Sequence, residues 1–159
     1  MHYFRNQYAK VCWKNSSSSY FYVDRGVRQG GILSPFLFKV YIDDLIQEIS
    51  FMSCGCTLGL SRINILCYAD DIVLIAESKA DMNELYKKLK ASINFLKLDI
   101  NKSKTKCMKF GNYVLTNDLF IELNGDKVEL VNSYRYLGHI IEYNLSDRKD
   151  IKNNMKKFY

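Results

Sequence analysis

The feature that most constrains the fold is the segment 63–78, in which two apolar, β-branched runs are separated by a pair of aspartates. Runs of this length predict two strands, and the short interruption predicts a tight hairpin with Asp70 and Asp71 at its tip. Adjacent carboxylates repel each other, and a divalent cation that prefers oxygen ligands, such as Mg²⁺, would remove the repulsion. A solvated acidic turn is the alternative explanation, and these residues alone do not decide between the two.

Two other groups of potential metal ligands are better explained as ordinary structure. Asp43 and Asp44 lie within a predicted helix, where successive side chains diverge by about a hundred degrees, so we expect a helix surface there. The chain has five cysteines, and the pair Cys54 and Cys56 lacks the Cys-x-x-Cys spacing of a zinc site. We therefore interpret the cysteines as reduced structural thiols.

Amphipathic helices are predicted on both sides of the hairpin. Ser34 and Pro35 form a strong helix start and predict a helix over residues 35–50, while Ser78 is expected to cap a second helix over residues 79–98. Their apolar positions recur at helical spacing, at Leu37, Phe38, Tyr41, Ile42, Leu45 and Ile49 in the first and Met82, Leu85, Leu89, Ile93 and Leu96 in the second. A third, basic helix is predicted over residues 146–159, with apolar positions Ile151, Met155 and Phe158.

Further strands are predicted where short β-type runs lie between turn residues. Asn124-Gly125, between two alternating runs, is the strongest of these turn signals and predicts a hairpin over residues 119–131. Single strands are predicted at residues 20–23, 106–110 and 134–143, and a glycine-containing connection at residues 54–60. Helices packed on one face of a largely antiparallel sheet would make the fold α+β.

Composition narrows the class of protein without identifying it. The chain has 159 residues, 48% hydrophobic content and a net charge of +6, which suits a nucleic-acid partner and also an ordinary soluble domain. No run reaches the ~18 to 20 apolar residues of a membrane span, and residues 1–10 lack the apolar core of a signal peptide. We therefore expect an intracellular protein, nuclear or cytoplasmic, that is neither secreted nor membrane-bound.

Four segments, in this order along the chain, resemble the motifs of a reverse transcriptase palm. Residues 26–38, GVRQGGILSPFLF, closely resemble motif B, and Tyr68-Ala69-Asp70-Asp71 is similar to motif C. Residues 101–106, NKSKTK, look like motif D, and Tyr136-Leu137-Gly138 resembles motif E. The residues at these motifs, especially YADD together with YLG, resemble those of non-LTR, LINE-like retrotransposons. An intron maturase-like protein is the more remote alternative.

This resemblance implies a fold, a division of the chain and a chemistry. The fold would be a palm-type antiparallel sheet over residues 20–143, truncated, with residues 1–19 unassigned and a basic helix at 144–159 as the possible start of a thumb. The chemistry would be RNA-directed DNA polymerisation with two Mg²⁺ ions. The partners would be an RNA template, a DNA primer and dNTPs.

The resemblance also assigns roles to individual residues. Asp70 and Asp71 would bind the metal ions, and Lys104 would act near the triphosphate of the incoming nucleotide. The nucleotide- and template-binding residues would be Arg28, Gln29 and Gly30, and the primer contacts would be Tyr68, Tyr136, Leu137 and Gly138.

One departure from the family pattern affects the expected activity. The family needs a further aspartate, from motif A, together with the fingers, and the only acidic residue before Gln29 is Asp24. We therefore expect the chain to be inactive alone, with the fingers and motif A supplied by an upstream segment of a parent polyprotein. The alternative is a remnant that binds nucleic acid without catalysis.

Overall fold

The computed structural model describes residues 7–23, 26, 30–111 and 119–156. Two of the predicted nucleotide- and template-binding residues, Arg28 and Gln29, lie outside these ranges, as do Asp24 and Phe158.

Within the described ranges, three α-helices are interspersed with short strands. The helices are α1 (Ser34–Ser50), α2 (Lys79–Phe95) and α3 (Arg148–Met155). The strands are β1 (Tyr8–Ala9), β2 (Cys12–Trp13), β3 (Ser16–Ser17), β4 (Phe21–Tyr22), β5 (Cys56–Leu58), β6 (Ser61–Ile63), β7 (Ile65–Tyr68), β8 (Asp71–Leu74), β9 (Lys106–Cys107), β10 (Phe120–Leu123), β11 (Asp126–Leu130), β12 (Ser133–Tyr136) and β13 (His139–Glu142). The mixed content confirms the α+β class. None of the helices described here has the length and apolarity needed to span a membrane.

The strands form several small sheets where the sequence predicted one. The pairs β1–β4, β2–β3, β5–β6, β7–β8 and β12–β13 are each two-stranded and antiparallel. The remaining sheet has the order β10-β11-β9, in which β9 pairs with β11 in parallel. Antiparallel pairing therefore dominates as predicted, while the palm-type arrangement of a single sheet stays a prediction.

The chain divides into two compact units, residues 1–43 and 44–159, and α1 runs across the boundary. The first unit contains the short strands β1 to β4, of which only the segment 20–23 was predicted. The second contains both hydrophobic clusters. The division predicted from the motifs, after residues 19 and 143, stays a prediction.

The larger cluster of the second unit joins the C-terminal half of α1, one face of α2 and strand β7. Its buried members are Leu45, Ile49, Ile65, Leu85, Leu89 and Ile93. The apolar stripe predicted for α1 is confirmed at Ile42, Leu45 and Ile49, whereas Tyr41 is 49% exposed because it lies at the margin of the stripe.

Helix α2 also supports a second cluster on its other side. Tyr86 packs with Ile121, Leu123 and Val128 of the β10–β11 hairpin. The predicted cap is confirmed, since the Ser78 side chain accepts a hydrogen bond from Asp81 N at 3.0 Å. The helix thus joins the two clusters into one core.

Three sequence predictions in this unit need correction. Residues 134–143 form the hairpin β12–β13 instead of one strand, because Leu137 (φ 47°) and Gly138 (φ 89°) reverse the chain between Tyr136 and His139. The strand predicted at 106–110 extends over Lys106–Cys107 only, and the connection at 54–60 contains β5, which pairs with β6. The basic C-terminal helix is confirmed as α3.

Candidate active site

Asp70 and Asp71 lie at the tip of the β7–β8 hairpin, as predicted. Tyr68 pairs with Asp71, which leaves Ala69 and Asp70 as a two-residue loop. Both carboxylates are exposed. Ala69 has φ 52°, in the left-handed region that disfavours a residue with a Cβ by about 1 to 2 kcal/mol. The hairpin therefore presents two adjacent acids to solvent on a backbone held in an unfavourable conformation.

The base of this hairpin is fixed by Asn64, which is 2% exposed and directly precedes β7. Its side-chain Nδ2 donates to the carbonyl oxygens of Ile49 at 2.7 Å and Cys54 at 3.2 Å. Its main-chain carbonyl oxygen accepts a hydrogen bond from Ile75 N at 2.9 Å. A Cβ on Gly55 would lie 2.6 Å from Asn64 Cβ, so the loop approaches closely only because residue 55 is glycine. The amide thereby ties the end of α1 and the loop that follows it to the base of the hairpin.

The negative charge at the tip is not neutralised by a described side chain. Neither Asp70 nor Asp71 has an ion-pair or hydrogen-bond partner for its side chain among the residues in the described ranges. Burial, followed by the charges of Asp70 and Asp71, raises the pKa of the Cys67 thiol. Burial, followed by Asp71 and then Cys67, raises the pKa of Tyr136. The field of the carboxylates therefore reaches the end of strand β12.

This donor set fits a magnesium ion. Asp70 and Asp71 are hard oxygen donors, and Mg²⁺ is commonly held by one or two carboxylates together with water and phosphate oxygens. Among the described residues no group of three or more His, Cys, Asp or Glu side chains is placed to share a metal ion. Further ligands would therefore come from water, substrate or other segments.

The loop that carries Lys104 has a firmly held backbone. Lys104 N donates to both the side-chain and main-chain oxygens of Asn101, each at 3.2 Å, and Thr105 N and Oγ1 each donate to Asn101 O at 2.9 Å. The Tyr134 hydroxyl donates to Lys104 O at 3.0 Å. The Lys104 side chain is exposed and has no ion-pair partner within the described part of the chain. A fixed main chain thus presents an unpaired ammonium group.

Asp126 connects this loop to α2 and to the β10–β11 hairpin. Its carboxylate accepts hydrogen bonds from Lys90 Nζ at 2.7 Å, Lys102 Nζ at 3.0 Å and the Tyr86 hydroxyl at 3.1 Å. These donors, led by Lys90 and Lys102, hold the pKa of Asp126 well below its usual range. Burial and then the hydrogen bond to Asp126 raise the pKa of Tyr86 to about 12. One carboxylate therefore ties three elements together.

The β12–β13 hairpin carries the segment that resembles motif E, and its tyrosines interact with the segments that resemble motifs C and D. Tyr134 and Tyr136 are two residues apart and so lie on the same face of β12. The Tyr134 hydroxyl donates to the Lys104 carbonyl oxygen, and the charge of Asp71 contributes to the raised pKa of Tyr136. Near the turn, Asp150 of α3 accepts a hydrogen bond from Ile140 N at 2.8 Å, which docks α3 on the hairpin.

The second unit thus contains most of the residues to which the resemblance assigned roles: Tyr68, Asp70, Asp71, Lys104, Tyr136, Leu137 and Gly138. Gly30 lies in the first unit with φ 79°. The supporting residues Asn64, Asp126 and Tyr134 were not predicted. Of these, only Asn64 gives a sequence signal, because it interrupts an apolar run.

Comparison with known proteins identifies the family. A profile described as reverse transcriptase (RNA-dependent DNA polymerase) matches residues 2–141. The chain is 34% identical over 95 residues, 60% of its length, to the Pol polyprotein from retrotransposable element R2DM of Drosophila melanogaster. It is 35% identical over 69 residues, 43% of its length, to the Pol polyprotein of an R2 element from Nasonia vitripennis.

A longer but weaker match is to the RNA-directed DNA polymerase from mobile element jockey of Drosophila funebris, at 26% identity over 149 residues, 89% of this chain. The matched regions span 9%, 7% and 16% of these three relatives. The chain therefore belongs to the reverse transcriptase (RNA-dependent DNA polymerase) family, and it is a reverse transcriptase domain of the non-LTR retrotransposon type.

Proposed function

We propose that the chain is part of the catalytic palm of an RNA-directed DNA polymerase that extends a DNA primer on an RNA template. The observation that carries the proposal is the pair Asp70 and Asp71, exposed and without a cationic partner among the described residues at the tip of an anchored hairpin. Two carboxylates that repel each other in this position gain from a bound cation. The family membership supplies the reaction class.

In this proposal Asp70 and Asp71 hold Mg²⁺. Bound Mg²⁺ supplies electrostatic stabilisation of the attacking and leaving oxygens during phosphoryl transfer. The protein's own contribution is position, because Asn64 fixes the base of the hairpin while the Tyr68–Asp71 pairing fixes its tip. The two carboxylates consequently stay together at one place on the surface.

Lys104 is proposed to act on the triphosphate of the incoming nucleotide. Its ammonium group is exposed. It can stabilise the negative charge that develops on the leaving pyrophosphate and then donate a proton to it. Asn101 and Tyr134 hold the main chain on both sides of this residue, so the side chain starts from a defined point. They are positioning residues in this proposal.

The tip of β12–β13 is proposed as the primer contact. Leu137 is exposed and Gly138 half-buried in the turn, and a glycine allows a sugar–phosphate backbone to approach closely. The charge of Asp71 contributes to the raised pKa of Tyr136, which precedes this turn, and Tyr68 is exposed beside the carboxylates. Arg28, Gln29 and Gly30 are assigned to the nucleotide and template side by resemblance.

Polymerisation itself is assigned to a longer polypeptide. The chain spans 7 to 16% of the three relatives described above, and the two-metal reaction of this family uses a further aspartate and the fingers. We therefore propose that the 159-residue chain is inactive alone and acts inside the cell, in the nucleus or cytoplasm, as a segment of a polyprotein.

Primer extension on an RNA template with Mg²⁺ and dNTPs tests the proposal. In the parent polypeptide, Asp70→Asn with Asp71→Asn should reduce extension by a factor of at least about 100, because the substituted amides keep the shape and lose the charge. The matched control, Asp43→Asn with Asp44→Asn on α1, should retain it. Activity of the first variant near the wild-type rate would refute the proposal, and extension by the unmodified 159-residue chain would refute its inactivity alone.

A further inference from the structure

Residues 7–23 form one continuous antiparallel hairpin with a bulge. Tyr8 pairs with Tyr22 and Ala9 with Phe21, while Cys12 pairs with Ser17 nearer the turn. Backbone bonds extend this ladder, from Val23 N to Gln7 O at 2.8 Å and from Ser18 N to Val11 O at 2.9 Å. Between these pairs the single residue 10 stands opposite the two residues 19 and 20, which defines a one-residue β-bulge.

The alternation of side chains places three tyrosines and a lysine on one side of this hairpin. This set, called the tyrosine face, consists of Tyr8, Lys10, Tyr20 and Tyr22. The rings of Tyr8 and Tyr22 are 5.6 Å apart at an interplanar angle of 62°, and Lys10 Nζ lies 5.5 Å from the centroid of the Tyr20 ring. These contacts confirm the shared side across the bulge.

The tyrosine face is open to solvent. Tyr8, Tyr20 and Tyr22 are 64%, 68% and 51% exposed. Residues 7–23 contain Lys10 and Lys14 and no aspartate or glutamate, so the hairpin carries only positive charge. Exposed rings beside an unopposed cation are the combination that binds single-stranded nucleic acid, since bases stack on the rings and phosphates pair with the cation.

We propose that the tyrosine face binds unpaired nucleotides of a single-stranded nucleic acid. Tyr20 and Tyr22 are two residues apart along the strand, about 7 Å, so separate bases can stack on their rings. Lys10 Nζ lies over the Tyr20 ring and can pair from there with a phosphate. The proposal goes beyond polymerisation, because this binding needs neither the metal ions nor the carboxylates of the hairpin tip.

Fluorescence anisotropy with a labelled 12-nucleotide oligo(dT), in EDTA and without dNTPs, tests the proposal on the 159-residue chain. The result is then independent of whether Asp70 and Asp71 hold Mg²⁺. Replacement of both Tyr20 and Tyr22 by leucine should weaken binding about tenfold or more, while Phe21→Leu, on the opposite side of the same strand, should change it less than twofold. Far-UV circular dichroism of each variant checks that it folds.

Two further variants separate stacking from other causes. Tyr20→Phe with Tyr22→Phe keeps the rings and should restore binding to within about threefold of the wild type. The logarithm of the association constant falls with the logarithm of the salt concentration. Lys10→Gln should make this slope shallower by about 0.7, the value for one phosphate contact on a single strand. The proposal is overturned if the unmodified chain does not bind the oligonucleotide, or if the leucine and Phe21 variants bind alike. Equal affinity for a 12-base-pair duplex would also overturn it. Unchanged binding by the leucine variant would overturn it as well and would favour a protein as the partner of the tyrosine face.

Discussion

Replacing Asn64 with leucine should destabilise the second unit substantially, although the two side chains have similar size. Leucine has no donor, so the bonds from Asn64 Nδ2 to the carbonyls of Ile49, at 2.7 Å, and Cys54, at 3.2 Å, would be lost, and the Ile49 carbonyl would keep only its bond from Met52 N at 3.0 Å. Loss of a hydrogen bond of this kind costs about 0.5 to 1.5 kcal/mol. The Cys54 carbonyl is only partly buried, so water can replace some of its loss. We therefore expect a decrease of about 1 to 2 kcal/mol in the free energy of unfolding.

Urea denaturation followed by far-UV circular dichroism measures this change, because α1 and α2 contribute much of the signal. The matched control is Asn83→Leu, since Asn83 Oδ1 accepts from Asn124 N at the same distance, 2.7 Å, in an exposed position. Water can bind the freed Asn124 N–H, so the control should lose less than about 1 kcal/mol. A loss below about 0.5 kcal/mol for Asn64→Leu, or equal losses for both variants, would refute the assignment of Asn64 as the anchor of the hairpin.

Two further predictions concern charge and backbone strain. Because Lys90 and Lys102 lower the pKa of Asp126, its contribution to stability is present above its ordinary value of 3.8 and lost as the pH falls below it. Asp126→Asn should therefore flatten the dependence of the urea midpoint on pH between about 4 and 2, and an unchanged dependence would contradict the network. Ala69→Gly should raise the free energy of unfolding by about 0.5 to 1 kcal/mol, since glycine accepts the positive φ, whereas Ala80→Gly in α2 should lower it by about 1 kcal/mol. Equal urea midpoints for these two variants would show that Ala69 is not strained.

Elements with strong local signals were predictable from sequence. The helix start at Ser34 and Pro35, the cap at Ser78 and the Asn124-Gly125 turn are decided by neighbouring residues, and all three are confirmed. Asn124 and Gly125 have φ 45° and 80°, as a tight hairpin turn with two left-handed residues requires. Local chemistry and tertiary structure agree at these places.

Features that depend on distant residues were not predictable. The turn at Leu137 and Gly138 was missed because leucine rarely adopts a positive φ, and the pairing of β12 with β13 holds it there. The division into small sheets depends on which strands meet, and a periodic pattern does not contain that information. Asp126 likewise binds Lys90 across 36 positions of sequence.

The candidate site was predictable in part for the same reason. The placement of Asp70 and Asp71 at a hairpin tip follows from a local pattern and is confirmed. The links from Tyr134 to Lys104 and from Tyr136 to Asp71 bridge separate elements, so the sequence gives no sign of them. The catalytic and binding roles of these residues stay predictions.

The position of Tyr134 and Tyr136 on one face of a four-residue strand limits how this domain can change in length. Inserting or deleting a single residue within β12 would turn one or both tyrosines to the opposite face, because side chains alternate along a strand. One event would affect both tyrosines, whereas an insertion in an exposed loop that carries neither Asp71 nor Lys104 would leave their positions unchanged. Among copies of an element that accumulate small in-frame insertions, β12 should therefore keep its length more strictly than its residue identities.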